Sequence, residues 1–316
     1  MGSNYRSIDE SGNDIWNVGG ELKFLAGGSL SGAGFSFKGT CYYVDGTDGD
    51  DDNDGLTWSG AKKTIATAAA LLVAGDTLFI KGSFNEAVEI DVAGVSIIGV
   101  GTTSNQALWT APDTVAPCLT ISAAADVLVK NIRFRPAVAN AGIELEGASH
   151  QATIVDCRFQ GKADSKWGIK TDGAQDNVKI LNCEFYYNNT ATDGCAIYGH
   201  TYTSSEPSGW IIDNCKFHSN TKHISCRMRQ SIIQNSVFSG KGLTAAGTMA
   251  APDGAIDISG ATEGCNIVTK NFLGGDYSTA LYVSGTDDDW VGNFSSDVDE
   301  DEVADNGITI AVPVAP

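Results

Sequence analysis

A short strand pattern after a glycine recurs along the chain, and in it apolar residues alternate with polar ones. Two examples are Gly142-Ile-Glu-Leu-Glu146 and Gly168-Ile-Lys-Thr-Asp172. Because successive side chains of a strand point to opposite faces, the alternation predicts that the isoleucines and leucines point inward and the polar residues outward. The predicted outward residues are Glu144, Glu146, Lys170, Asp172, Tyr198, Arg227, Asp257 and Tyr282.

Carboxylates, tyrosines and cations in such a row have the chemistry to bind or cleave a polysaccharide. Paired carboxylates act as acid and base or nucleophile on a glycosidic bond, and a cation-assisted base serves a lyase. The candidate catalytic residues are Glu144, Asp172, Arg227 and Asp257. The candidate sugar-binding residues are Glu146, Lys170, Tyr198 and Tyr282. An exposed sheet face also needs mixed polar residues for solubility alone, so the row does not by itself indicate an enzyme.

The tryptophans allow two interpretations. Each is compatible with a platform for a sugar ring and equally with the shielding of a loop. The three in question are Trp167, Trp210 and Trp290.

A metal-binding pattern occurs once, in an acidic turn. Asp50, Asp52 and Asp54 precede Gly55 and match the first half of a calcium loop. The twelfth position, where such a loop needs Glu, is Ala61, which excludes an EF-hand. A looser Ca²⁺ site with oxygen ligands is a hypothesis beside a solvated polar turn, and no cofactor is required.

The elements that would position these residues belong to an internal repeat. Copies such as Asp156-Cys157-Arg-Phe159 and Asn182-Cys183-Glu-Phe185 each follow a short apolar run. Steps of 25, 26, 32 and 21 residues separate the first five copies, and Asn271-Phe272 is interpreted as a degenerate sixth. No helical periodicity lies between copies. The repeat predicts an all-β solenoid, a right-handed single-stranded parallel β-helix.

Stacking of the coils would turn each repeated position into a ladder of side chains. An Asn/Asp column is predicted to hydrogen-bond along the turn, beside a column of phenylalanines and one of cysteines in the core. These structural positions are Asn131, Asp156, Asn182, Asn214, Asn235, Phe134, Phe159, Phe185, Phe217, Phe238, Cys157, Cys183 and Cys215. All eight cysteines are interpreted as reduced core residues, because no Cys-x-x-Cys pair is present.

The region before the repeats resembles the beginning of pectate-lyase-like β-helix proteins. It contains the strand Cys41-Tyr-Tyr-Val-Asp45, the polar turn and a helix predicted over Thr64–Val73 with Thr64 as its N-cap. The resemblance implies a β-helix over residues 41–316 whose first part, residues 41–82, caps one end and protects the exposed strand edges. It specifies fold rather than activity, since this architecture occurs in lyases, hydrolases and inert structural proteins.

Residues 1–40 form a different segment. Val18-Gly-Gly-Glu-Leu22 recurs as Ala26-Gly-Gly-Ser-Leu30, and such a strip cannot form a core of its own. A Gly-Gly-x-Leu repeat before a β-helix resembles the attachment segments of tailed-phage capsid decoration proteins, head fibres and tailspikes. The resemblance implies a homotrimer that is anchored to a phage capsid or tail protein through residues 1–40; a disordered tail is the alternative.

Charge and hydropathy exclude several classes of partner. The 20 basic and 39 acidic residues give a net charge of −19, which repels nucleic acid. No run reaches the length of a membrane span, and the polar first 17 residues do not form a signal peptide. We therefore expect a protein that is made in a host cytoplasm, is released by lysis and functions in the virion.

These observations favour a non-enzymatic structural virion protein of a tailed phage, a decoration protein or head fibre. The alternative is an enzyme, a tailspike-type depolymerase or polysaccharide lyase that acts on a surface glycan. A third hypothesis is a carbohydrate-binding adhesin that does not cleave its ligand.

Overall fold

The computed structural model describes residues 5–8, 14–17, 39–102, 105–112, 116–136, 140–161, 166–173, 175–188, 194–199, 206–239, 242–243, 249–250, 254–258, 264–274, 282–283 and 288–296. In this part the chain winds through three long parallel sheets, one strand of each per coil. The predicted parallel β-helix is confirmed. None of the helices in these ranges is long and apolar enough to cross a membrane.

Sheet 1 has ten strands. In spatial order they are β3 (Cys41–Asp45), β4 (Thr77–Lys81), β7 (Ser96–Gly99), β10 (Leu128–Lys130), β13 (Thr153–Val155), β16 (Lys179–Leu181), β19 (Ile211–Asp213), β22 (Ile232–Gln234), β27 (Ile267–Thr269) and β30 (Asp289–Val291).

Sheet 2 has nine strands and sheet 3 has eight. Sheet 2 consists of β5 (Ser83–Asn85), β8 (Ala107–Thr110), β11 (Ile132–Arg135), β14 (Arg158–Gln160), β17 (Glu184–Tyr186), β20 (Lys216–His218), β23 (Val237–Ser239), β28 (Phe272–Gly274) and β31 (Phe294–Ser296). Sheet 3 consists of β6 (Val88–Ile90), β9 (Leu119–Ser122), β12 (Ala141–Glu146), β15 (Trp167–Thr171), β18 (Cys195–Gly199), β21 (Lys222–Cys226), β26 (Gly254–Asp257) and β29 (Tyr282–Val283).

Two antiparallel pairs lie outside these sheets. They are β1 (Tyr5–Ile8) with β2 (Asp14–Asn17), and β24 (Gly242–Leu243) with β25 (Met249–Ala250). The first pair lies within the predicted attachment strip, most of which is outside the described residues. The division of the chain at residue 40, and the homotrimer, remain predictions.

The cap contains a single turn of α-helix. Helix α1 covers Ile65–Ala69, and the side chain of Thr64 accepts a hydrogen bond from the backbone N–H of Thr67, as expected of its N-cap. The helix is shorter than the Thr64–Val73 predicted, since the chain turns at Ala70. A short 3₁₀ helix covers Trp58–Gly60.

The core contains a continuous stack of aromatic rings. From Phe134 onward, neighbouring phenylalanines lie with ring centroids 4.6–5.3 Å apart, and every ring is buried. The stack begins one coil earlier than the repeat suggested, at Trp109, 5.6 Å from Phe134. Parallel in-register pairing places identical side chains directly above one another, so each ring packs on the next.

The Asn/Asp column lies at the corner between sheets 1 and 2, where each residue has a positive φ. Asn182 donates to Asp156 (3.3 Å), and Asn214 donates to Asn182 (2.7 Å). Asn131 instead donates to backbone carbonyls of the preceding coil, and Asn235 donates to Asp213 (2.8 Å). Asparagine and aspartate tolerate this left-handed conformation better than other residues with a Cβ, which explains their recurrence.

The sixth copy is shifted by one residue from its predicted alignment. Lys270 occupies the left-handed position, with φ 56°, and Phe272 pairs with Val237 on the outward side. Asn271 therefore aligns with Ser236 at the position of the cysteine column, where its amide receives the Ser236 N–H. A buried amide satisfies corner backbone groups that a thiol satisfies only weakly.

All eight cysteines are free. The column Cys157, Cys183 and Cys215 is buried, and burial raises the pKa of the Cys183 thiol. The prediction that every cysteine lies in the core is wrong for Cys265, which is exposed, and for Cys41, which is only half-buried.

Candidate functional site

The outward side of sheet 3 carries a row of polar side chains. Strand register aligns Glu144 with Lys170, Lys170 with Tyr198, Tyr198 with Ser225 and Ser225 with Asp257. Four of the predicted outward residues thus share one row, which covers five consecutive coils about 4.8 Å apart. Ser225 occupies the fourth place, between Tyr198 and Asp257, and is buried.

In β12 and β15 a glycine beside the corner of the coil, Gly142 or Gly168, determines which side chains face outward. A Cβ on Gly168 would lie 2.8 Å from the ring of Phe185, so this residue points into the core. Ile169, the next residue, is also buried. With two consecutive inward positions, the alternation changes phase, and Trp167 and Lys170 lie on the same outward side. Glycine lets the ring of Phe185 approach the backbone this closely. The aligned residues of the next three coils are Ala196, His223 and Ala255, and all three are buried.

Glu144 is outward by register but is not exposed. Only 7% of the residue is accessible, and its carboxylate is ion-paired with the ammonium of Lys170. The expectation of an exposed Glu144 is therefore wrong. A carboxylate withdrawn from water needs such a partner, because desolvation penalises an unpaired charge.

Two more carboxylates lie in the neighbouring row. Asp172, just after β15, accepts hydrogen bonds from the Gly147 N–H and the Gln175 amide, both at 3.2 Å. These two donors fix its orientation. Burial raises the pKa of the Glu146 carboxyl, and the negative charges of Glu144 and Asp172 raise it further.

An aromatic pair lies on the same outward side, with Trp167 at the start of β15 and Asp172 just after the end of that strand. The rings of Trp167 and Tyr198 stack with centroids 5.2 Å apart, and the ammonium groups of Lys166 and Lys170 lie over the indole at 5.2 and 5.3 Å. The indole N–H is shielded from solvent and has no hydrogen-bond partner in the described part of the chain.

The three tryptophans, which the sequence alone does not distinguish, differ in their burial. Trp210 is fully buried and Trp290 is 9% exposed, so both belong to the core. Trp167 is half-buried beside polar groups and is the one that suits a sugar platform. Its distinguishing signal in the sequence is its position, immediately before the corner glycine of its coil.

The remaining predicted residues lie farther along the face. Arg227 follows β21, two strands from Asp172, so about 10 Å separates their coils along the axis. Asp257 lies at the far end of the row. Tyr282 pairs with Ile256 rather than with Asp257, so it is one residue out of the predicted register; its side chain lies outside the described residues.

The acidic turn uses its carboxylates locally. Asp50 accepts the backbone N–H of Asp52 (3.1 Å), and Asp54 accepts that of Leu56 (2.9 Å). Within the described ranges, no three His, Cys, Asp or Glu side chains form a group that could hold a metal ion.

The face therefore combines a protonatable carboxyl, an oriented carboxylate, a paired lysine and a stacked aromatic surface. A carboxyl with a raised pKa beside a second carboxylate is the arrangement that enzymes use for general acid and base on one substrate. Stacked rings offer an apolar surface with polar edges, as sugar-binding sites do.

A family model described as the right-handed beta helix region matches residues 117–293, which is more than half of the chain. The chain belongs to the right-handed β-helix family. No curated protein sequence matches it.

Several solved β-helix structures are similar to this chain. They include a rhamnogalacturonan lyase (TM-score 0.60, 15% identity, 75% of this chain and 69% of that chain), pectate lyase Pel9A (0.63, 14%, 78% and 65%) and an alginate lyase from Paenibacillus sp. str. FPU-7 (0.60, 16%, 73% and 83%). The chain spans about two thirds of the first two proteins. At these identities the likeness concerns the β-helix fold alone.

Proposed function

We propose that this chain binds a polysaccharide across the outward side of sheet 3 and cleaves a glycosidic bond there. The observation that carries the proposal is the pair Glu146 and Asp172, two carboxylates at the ends of neighbouring strands, on the sheet face that also carries the Trp167–Tyr198 stack. The family resemblance and the solved β-helix structures, which are named as polysaccharide lyases, support it as shared architecture. This replaces the non-enzymatic virion protein as the leading hypothesis.

The two carboxyls would have different roles. Glu146, whose pKa is raised, keeps its proton closer to neutral pH and would donate it to the leaving glycosidic oxygen. Asp172 would act on the opposite side as base toward water, or as nucleophile at the anomeric carbon. Glu144 and Lys170 form a pair that holds the row in place, and Trp167 would carry the apolar face of a sugar ring.

The matched experiment compares Glu146→Gln, Asp172→Asn and Asp289→Asn across a panel of acidic and neutral polysaccharides. Asp289 is an exposed carboxylate on the outward side of sheet 1, away from the site. We expect new reducing ends with the unchanged chain, a loss of about 10²-fold or more in both site variants, and unchanged activity in Asp289→Asn. Absence of cleavage across the panel, or equal loss in all three variants, would contradict the proposal.

The products separate hydrolysis from elimination. Hydrolysis adds water across the bond and gives saturated sugars, whereas a lyase removes a proton next to the uronate carboxyl and leaves a double bond that absorbs ultraviolet light. An unsaturated product would transfer the role of base to Lys170 or Tyr198. Hydrolysis should also fall at high pH as Glu146 loses its proton.

The virion role of residues 1–40, the homotrimer and the capsid or tail partner remain predictions. The native mass of the full chain, compared with a chain that lacks residues 1–40, tests them. A trimer that becomes a monomer without the strip would support attachment through that segment. A monomer in both would remove the reason to place the protein in the virion.

A further inference from the structure

A second polar surface lies on the outward side of sheet 2, away from the carboxylates of sheet 3. Register places Arg133, Arg158, Glu184 and Lys216 in one row on four consecutive coils. Arg135 lies on the same strand as Arg133, two residues along, and so faces the same way. We call these residues, with Tyr186, Gln160 and His218, the basic face.

The charge of the basic face is opposite to that of the chain. With Lys130 and Asp156 at its corner, it holds five cations and two carboxylates, a local excess of 5 − 2 = +3, whereas the whole chain carries 20 − 39 = −19. Both carboxylates are engaged: Asp156 lies 3.4 Å from Lys130, and Glu184 lies 3.0 Å from the Arg158 Nε. The other three cations have no carboxylate partner within the described ranges.

Two arginines on this face have unsatisfied donors. The Nε–H groups of Arg133 and Arg135 are shielded from solvent and lack a hydrogen-bond partner among the residues that the structure describes. Arg133 uses an Nη2–H to donate to the side chain of Gln160. A shielded guanidinium N–H without an acceptor is costly, and an anionic oxygen is the acceptor that guanidinium groups bind best.

The basic face also contains a pair of stacked rings. Tyr186 and His218 stack with centroids 5.2 Å apart and an interplanar angle of 10°, and both are half-exposed. His218 also approaches Glu184 at 3.6 Å. Cations beside a partly exposed ring surface match a ligand that is charged at its edges and apolar on its faces, as an acidic sugar is.

A groove of about 830 Å³ runs beside this row of charged side chains. Lys130, Arg158 and Lys216 line it together with the ion-paired carboxylates Asp156 and Glu184. The amides of Asn131, Asn182 and Asn214 line it at the corner. Three coil spacings, about 14 Å, separate the first and last charges of the row. A linear array of this length fits a polymer with repeated charges better than a single small anion.

We propose that the basic face binds a polyanionic glycan, whose repeating sugars carry carboxylate or sulfate groups. This surface is distinct from the sheet 3 site, and the inference does not depend on cleavage there. Acidic glycan would be held along sheet 2 as a second point of attachment, which raises the local concentration of substrate through multivalent binding.

Affinity electrophoresis of the full chain in gels with polygalacturonate, alginate, dextran sulfate or neutral dextran tests this proposal. The Glu146→Gln variant, which lacks the proposed acid of the sheet 3 site, serves as the parent, and new reducing ends are assayed in parallel. Three further variants are made in this parent. One carries Arg133→Gln and Arg158→Gln together, one carries Lys216→Gln, and the control carries Lys179→Gln. Lys179 is an exposed lysine on sheet 1.

We expect the parent to be retarded by at least one polyanion and not by dextran. The double variant should bind about ten-fold more weakly and Lys216→Gln a few-fold more weakly, while Lys179→Gln should bind like the parent. Polyuronate against dextran sulfate identifies carboxylate or sulfate as the recognised group. No retardation by any polyanion at low salt, or equal weakening by Lys179→Gln, would overturn the proposal. Because retardation reports binding and new reducing ends report cleavage, failed binding here is distinguishable from failed cleavage at sheet 3.

Discussion

Phe185 lies between two other rings in the core, 4.7 Å from Phe159 and 5.0 Å from Phe217. We expect Phe185→Ala to lower the free energy of unfolding by about 3–5 kcal/mol, since the stack leaves little freedom to collapse into the cavity. Denaturant unfolding measures the change. Phe272→Ala is the control: this ring faces outward and is 44% exposed, so its loss should cost less than about 1 kcal/mol. Equal effects would contradict the inward stack.

His223 is the buried residue whose protonation should be most visible. Its Nε2–H donates to the Ser239 carbonyl (3.0 Å), its Nδ1 accepts from the Asn220 amide (3.2 Å), and burial lowers its pKa to about 3. In the unfolded chain the pKa of a histidine is about 6.5. Between these values the unfolded state binds a proton that the folded state does not, so stability falls as pH falls.

The histidine should therefore add a slope of up to about 1.4 kcal/mol per pH unit to the unfolding free energy below pH ~6.5. His223→Gln should remove this slope even where the variant is less stable at neutral pH. Denaturant unfolding of both chains across mildly acidic pH measures it. Parallel pH profiles would show that His223 does not contribute.

At the scale of elements, the corner between sheets 1 and 2 depends on one left-handed residue per coil. Asn182, with φ 54°, is such a residue. Asn182→Gly keeps this conformation accessible, whereas Asn182→Ala should be less stable than the glycine variant by about 1 kcal/mol. Thermal unfolding compares the two.

A strand position provides a control at which the expected order of stability of the glycine and alanine variants is the opposite. Lys179 lies in β16 with its side chain exposed, and there glycine should be less stable than alanine by about 0.5–1 kcal/mol. The same order at both positions would show that backbone conformation does not determine the corner residue.

Element boundaries show where sequence reasoning was less accurate. Repeats with an Asn or Asp followed by Cys-x-Phe were aligned correctly, because each position had the same chemistry in every copy. The sixth copy was shifted, since Lys270 takes the left-handed corner and asparagine appears one residue later, in the cysteine column. A single residue type cannot define register when two neighbouring positions both accept it.

At the scale of the whole molecule, the net charge of −19 should destabilise the fold at low ionic strength. We expect the melting temperature to rise as NaCl is raised from about 10 to 150 mM, because screening shortens the range of repulsion from about 30 to about 8 Å. KCl should have the same effect at equal ionic strength. A melting temperature that is constant or falls with salt would contradict this expectation.

Calcium provides a further comparison in the same experiment. MgCl₂ and CaCl₂ at matched ionic strength should stabilise equally if only screening acts. A larger rise with CaCl₂ that is lost in Asp52→Asn would instead support the calcium site predicted at Asp50, Asp52 and Asp54.

The amino-acid sequence by itself determined the solenoid, its inward ladders and the polar row of sheet 3. These follow from a two-residue alternation and from repetition at coil length, both of which can be read without knowing any distance. Even the basic face has a signal in the repeat, since Arg158, Glu184 and Lys216 each occupy the position before a core phenylalanine.

Only the tertiary structure decided which polar groups meet. The burial of Glu144 under its pair with Lys170, the stacking of Trp167 on Tyr198 and the raised pKa of Glu146 depend on contacts between residues of neighbouring coils. The intervening loops differ in length from coil to coil, so sequence separation does not give these distances. Register and side-chain packing fix them, and both exist only when the coils are stacked.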